Sequence, residues 1–220
     1  MPTLWTSQFH IANGAAHEKS SSIGIFQNTG PSRKSALYVL TDTYNTDKPD
    51  DLNAQVVGAI EREFRRAGLS VTSALTSAIN AAHTTVTSAN AGKEADHLPM
   101  AGVTCAALTN KELYIAQAGP SLGYIYNGEK IRRYTPPSIT GDVSGEDAIG
   151  VARSLSINLQ AHQLNGGDVL LLSSPRLSSL ISNDELAIIL TAEPDKAIQR
   201  VYLIAKQEEN FSALLVAMLE

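Results

Sequence analysis

Two stretches of helical spacing, each bracketed by strand-like runs, constrain this chain more than any other feature. Leu52, Val56, Ile60 and Phe64 recur on one face of a helix that should end near Gly68. Leu75, Ile79, Ala82 and Val86 repeat that pattern directly afterwards. Before this pair the sequence reads as strands at residues 4–9, 22–26 and 36–41; after it, as strands at 103–108, 113–118 and 124–126. Asn127-Gly128 marks a two-residue hairpin into residues 130–134. Further strands are expected at 155–159 and 169–173, with Gly166-Gly167-Asp168 as a hairpin turn between them. Ser182 stands three residues before Glu185, a capping box for a helix to about Leu190. Pro194 suits the first turn of another helix, with Ala197, Val201 and Ile204 on one face. A strand at 212–219 closes the chain. The order strands, helix pair, strands, helix pair, strand predicts a layered α+β domain and not an alternating parallel fold.

At 220 residues the chain is expected to be one domain spanning residues 1–220, large enough for a substantial core. A net charge of −5 and basic residues only in pairs, Arg65-Arg66 and Arg132-Arg133, argue against a nucleic-acid partner. A single cysteine, Cys105, excludes an internal disulfide and a cysteine-based zinc site. It lies in an apolar run and reads as a small core residue. No apolar stretch has membrane-spanning length and no signal peptide is visible, so a cytoplasmic location and no membrane partner are expected. The histidines at 10, 17, 83, 97 and 162 show no metal-binding spacing. His83 reads as a surface or half-buried residue. Asp47, Asp50 and Asp51 read as turn and helix N-cap residues. Ser173-Ser174 has no nucleophile-elbow pattern and no evident His or Asp partner.

Two short words carry a resemblance. Gly119-Pro120-Ser121-Leu122 follows an apolar strand, and Ser174-Pro175-Arg176-Leu177 follows another. Both frames, in this order along nearly the whole chain, resemble the PPM-type (2C-like) metal-dependent Ser/Thr protein phosphatases. In that family the frames usually read Gly-Asp-Ser-Arg and Ser-Asp-Gly-Leu. The resemblance implies a four-layer α/β/β/α sandwich, two antiparallel sheets flanked by helical pairs. It also implies Mn²⁺ or Mg²⁺ held by converging carboxylates, with a bridging water attacking phosphorus.

Residue by residue, the resemblance is degenerate. The N-terminal acidic word matches His17-Glu18-Lys19, with Lys19 in an Asp position and Gly14 near that of a phosphate-binding Arg. Thr41-Asp42-Thr43 keeps the acid of the second motif without its glycine, and Glu209-Asn210 matches the last motif with a longer acid. Pro120 and Pro175 stand where two further Asp would be. Asp42 and Glu209 are thus the weak metal candidates, and Lys19, Pro120, Pro175, Arg176 and Asn210 complete a vestigial site. A specific expectation follows: Asp42 and Glu209 pair with Lys19 or Arg176 in a metal-free cleft. The competing reading makes Asp42 a turn or cap residue. Functionally the resemblance implies a pseudophosphatase, needing no cofactor and binding a protein that is phosphorylated or part of a kinase pathway. The alternative is a divergent Mn- or Mg-dependent phosphatase using Asp42, Glu209 and Glu18 or Asp47. A third reading is a structural or dimerising module.

Overall fold

The computed structural model describes residues 3–17, 19–30, 35–68, 70–94, 97–110, 112–135 and 147–219. Glu18 and most of the loop between residues 135 and 150 lie outside them. The chain runs β1 (Thr3–Ala12), β2 (Ala15–His17), β3 (Ile23–Gln27), β4 (Ser35–Tyr44), α1 (Pro49–Arg66), α2 (Val71–Ala89), β5 (Met100–Thr109), β6 (Glu112–Ala118), β7 (Leu122–Tyr126), β8 (Ile131–Arg133), β9 (Asn158–Gln163), β10 (Val169–Ser173), α3 (Leu177–Leu180), α4 (Asn183–Leu190), α5 (Pro194–Ala205) and β11 (Phe211–Leu219).

Strand alternation builds four layers from this order. On β4, Leu37 and Val39 face α1 and α2, while Tyr38 and Leu40 face the other sheet. On β10, Val169 and Leu171 face α3 to α5, while Leu170 and Leu172 face inward. These strands are apolar on both faces, so they read as continuous hydrophobic runs. One sheet has the order β2-β1-β11-β10-β7-β8, the other β3-β4-β5-β6-β9, and every neighbouring pair is antiparallel. The α+β, four-layer α/β/β/α architecture is therefore present. Among the described residues no helix is long and apolar enough to cross a membrane.

Local chemistry fixes the helix ends. Ser182 caps α4 by accepting from Glu185 N, and the Glu185 carboxylate accepts in turn from Ser182 N. Ser70 caps α2 by accepting from Ser73 N. The aspartates before α1 behave differently from the N-cap expectation. Lys48 is the N-cap without a side-chain bond, Pro49 opens the helix, and Asp50 and Asp51 sit in its first turn, where the helix dipole favours acid. Cys105 is fully buried, and His83 is half-buried, accepting from Gly150 N at 3.1 Å.

Three local expectations need correction. The strand expected at 155–159 lies instead at β9, a half-exposed polar edge of the five-stranded sheet. Leu155 and Ile157, which suggested a strand, pack against the α1–α2 core cluster as non-strand chain. The glycine turn at 166–167 is not a hairpin, because β9 and β10 belong to different sheets. The connection from β7 to β8 has four residues, not two, with Asn127 N donating to Lys130 O at 3.2 Å and Gly128 at φ +84°.

Candidate functional site

The inner faces of both sheets change chemistry at one end. Along β4 the inward series Tyr38, Leu40 continues as Asp42. Along β11 the series Val216, Leu214 continues as Ser212, and past β10 Leu170, Leu172 continue as Ser174. His10 faces Ser212 across the β1–β11 ladder. An apolar interlayer thus ends in a polar floor, and a cleft of about 470 Å³ opens above it. Its walls come from the β4–α1 connection with Asn53 on α1, from the Ser174-Pro175-Arg176 turn, and from residues 208–210 with Phe211 at the start of β11.

Hydroxyls organise this floor. Ser212 Oγ lies 3.0 Å from His10 Nδ1 and 2.9 Å from Ser22 Oγ. Ser174 Oγ accepts from Ser212 N at 2.8 Å and donates to Ser212 O at 3.4 Å. Burial holds the His10 imidazole below its usual 6.5, which keeps it neutral at pH 7. Ser212 and Ser22 are fully buried, so neither presents a nucleophile to the cleft. Asp42 is half-buried, but its Oδ2 is sealed from solvent and has no hydrogen-bond partner. Burial pushes its carboxyl up to about 6, and the Ser174 and Ser212 hydroxyls only partly oppose that rise. The same burial, with the Asp42 carboxylate alongside, drives the Tyr44 phenol well up.

The residues marked by sequence separate into two groups. Asp42, Pro175, Arg176, Glu209 and Asn210 all line the cleft, and Asp42 is a strand residue, not a turn or cap. Lys19 is exposed and Pro120 is buried, and neither is among the lining residues. Pro120 packs on the strand beside Asp42. Gly102 pairs with Asp42 across β4–β5, and a Cβ on Gly102 would lie 1.8 Å from Pro120 O. The expected ion pairs form otherwise: Arg176 Nε reaches Glu208 Oε2 at 3.1 Å, neither Asp42 nor Glu209. Hydroxyls of Ser174 and Ser212, and not a base, oppose the rise in the Asp42 pKa. Sequence reasoning missed His10, Ser22 and Ser212, since isolated Ser and His carry no spacing signal, and it gave no role to Ser174 within its frame.

A pair of Mn²⁺ or Mg²⁺ ions needs several converging oxygen donors of negative charge. Among the described residues no three of His, Cys, Asp and Glu converge to hold even one metal ion. Pro175 could offer only its carbonyl, which already accepts from Ser178 N at 3.2 Å and Ser178 Oγ at 3.0 Å. Glu208 is engaged by Arg176. The described residues do not fit a two-metal centre. They form instead an acid-rimmed cleft with one half-buried carboxyl, raised to about 6, at its base.

Comparison with known proteins agrees with this architecture. No family model and no curated protein matches the chain in sequence. Solved structures match over essentially its full length. Serine/threonine phosphatase Stp1 from Staphylococcus aureus aligns with TM-score 0.76 and 19% identity, covering 99% of this chain and 96% of that one. The catalytic domain of serine/threonine protein phosphatase PstP, solved in complex with 2 manganese ions, gives TM-score 0.73 and 15% identity over 99% and 100%. PppA of Pseudomonas aeruginosa gives 0.73 and 16% over 97% of each. At these identities the likeness is one of fold, and the chain has the fold of the PPM-type Ser/Thr phosphatases.

Proposed function

We propose that this protein is a catalytically impaired PPM-type phosphatase homologue, a pseudophosphatase that works by binding a protein partner in signalling. The observation that carries the reading is the isolation of Asp42. Among the described residues, it stands at the floor of the cleft without the convergent acids that two-metal phosphate hydrolysis requires. Pro at 120 and 175 removes two carboxylates, and Arg176 ties up Glu208. No cofactor is assigned. The partner is a protein, phosphorylated or belonging to a kinase pathway, in the cytoplasm. PppA, of the same fold, is described as a key regulatory component of the T6SS, which supports a regulatory setting by analogy of fold alone.

One observation favours a second reading, a divergent Mn- or Mg-dependent phosphatase using Asp42 and Glu209. Asp42 Oδ2 is buried without a donor, a site that a cation would satisfy. Calorimetric titration of chelator-stripped protein with Mn²⁺, followed by turnover of an aryl phosphate in the same buffer, separates the two. The pseudophosphatase gives no metal-dependent turnover. Turnover abolished by Asp42→Ala would establish the enzyme.

A further inference from the structure

We infer that the cleft receives an arginine side chain of its protein partner and does not read phosphate. The inference deepens the binding-module reading above and rests on it.

The first ground is charge. Among the described residues lining the cleft, Asp42, Asp50, Glu208 and Glu209 are acidic, and Arg176 alone is basic. Arg176 is already committed to Glu208 at 3.1 Å. His10 is neutral at pH 7 because burial lowers its affinity for a proton. Lys19, the other base that could have favoured an anion, is exposed and does not line the cleft. In a metal-loaded phosphatase, divalent ions would outweigh such acids and attract phosphate. Without them the same surface repels phosphate and attracts cations.

The second ground is hydrogen bonding, and it is independent of net charge. Two acceptors lining the cleft, Asp42 Oδ2 and Asn53 Oδ1, are buried and receive no hydrogen bond. Asn53 is 5% exposed, so water does not easily compensate it. His10, 9% exposed, has Nε2 buried without a partner as well, a donor or an acceptor according to its tautomer. A phosphate is an acceptor and would leave Asp42 and Asn53 unmet. A guanidinium is all donor: five N–H groups in a planar fork, no acceptor, and a charge that no physiological pH removes. Asp42 Oδ2 and Asn53 Oδ1 are not themselves accessible to solvent, so the entering group reaches them only if a lining side chain turns aside. A volume of about 470 Å³ holds one such side chain with its flanking backbone.

The test is calorimetry on the full chain with three probes in one low-salt buffer. The first is an end-capped Gly/Ser heptapeptide whose one charge is a central arginine. The second is the same peptide with citrulline, which keeps the shape and removes the charge. The third is inorganic phosphate. The arginine peptide is expected to bind, the citrulline peptide to bind at least about tenfold more weakly, and phosphate not at all. Asp42→Asn and Glu209→Gln should each weaken the arginine peptide, with a retained cooperative thermal transition showing that each variant folds. Phosphate binding without arginine binding, equal binding of the arginine and citrulline peptides, or no binding of any probe overturns the inference. Mn²⁺-dependent aryl phosphate turnover, measured separately, tests the pseudophosphatase reading instead. The two results are distinguishable because arginine binding needs no metal and turnover does.

Discussion

Replacing Asp42 with Asn should make this protein more stable at neutral pH. Its carboxyl titrates at about 6 in the folded chain against an ordinary 3.8, because burial disfavours the charged form. The folded state therefore holds the proton more tightly than the unfolded chain. Asp42 adds full stability below about pH 4, and that contribution is lost as pH rises towards 6 and stays lost above it. At about 1.4 kcal/mol per pH unit of separation, the ionised residue costs about 3 kcal/mol at neutral pH. Asn keeps the shape and one acceptor oxygen without the charge. Urea unfolding of both proteins at pH 4.5 and 7.5 measures the effect. The stability difference, variant minus wild type, should grow by about 2 kcal/mol between the two pH values. That is of the order of 1 M in the urea midpoint. A difference that does not change with pH, or a variant less stable than wild type at pH 7.5, would refute the argument.

Gly102→Ala places a Cβ 1.8 Å from Pro120 O and 2.3 Å from Pro120 C, both backbone atoms that no rotamer change relieves. It should lower stability by more than about 3 kcal/mol in urea unfolding, and a loss under 1 kcal/mol would mean the Pro120 turn yields freely. Ser182→Ala removes one side of the α4 capping box and should cost about 1 kcal/mol, read as a lower thermal midpoint by circular dichroism.

Much of the fold was legible because its central strands are buried on both faces and its long helices carry one apolar stripe. Val56, Ile60 and Phe64 are fully buried at the spacing that predicted α1. Legibility failed where pairing replaces burial. β9 reads Asn158, Leu159, Gln160, Ala161, His162, Gln163 and is a strand because β6 offers it a ladder, not because its own pattern is apolar. The site divides in the same way. Motif frames led to Asp42, Pro175, Arg176, Glu209 and Asn210, which share one cleft. His10 and Ser212 stand 202 positions apart and meet only through the β1–β11 register. Arg176 chose Glu208 over Glu209, a difference of one residue that spacing does not resolve.

The ladder between β1 and β11 runs from Thr3 opposite Leu219 to Ile11 opposite Phe211. The five-stranded sheet closes entirely within residues 23–163, so its half of the molecule is complete well before the last strand is available. The six-stranded sheet cannot be completed until β11 slots between β1 and β10. Ser212, Phe211 and the 208–210 turn arrive with that strand, and with them one wall and part of the floor of the cleft. The cleft therefore depends on β11: a chain whose β11 has not paired can carry Asp42 on a finished strand and yet lack one wall and part of the floor of the cleft.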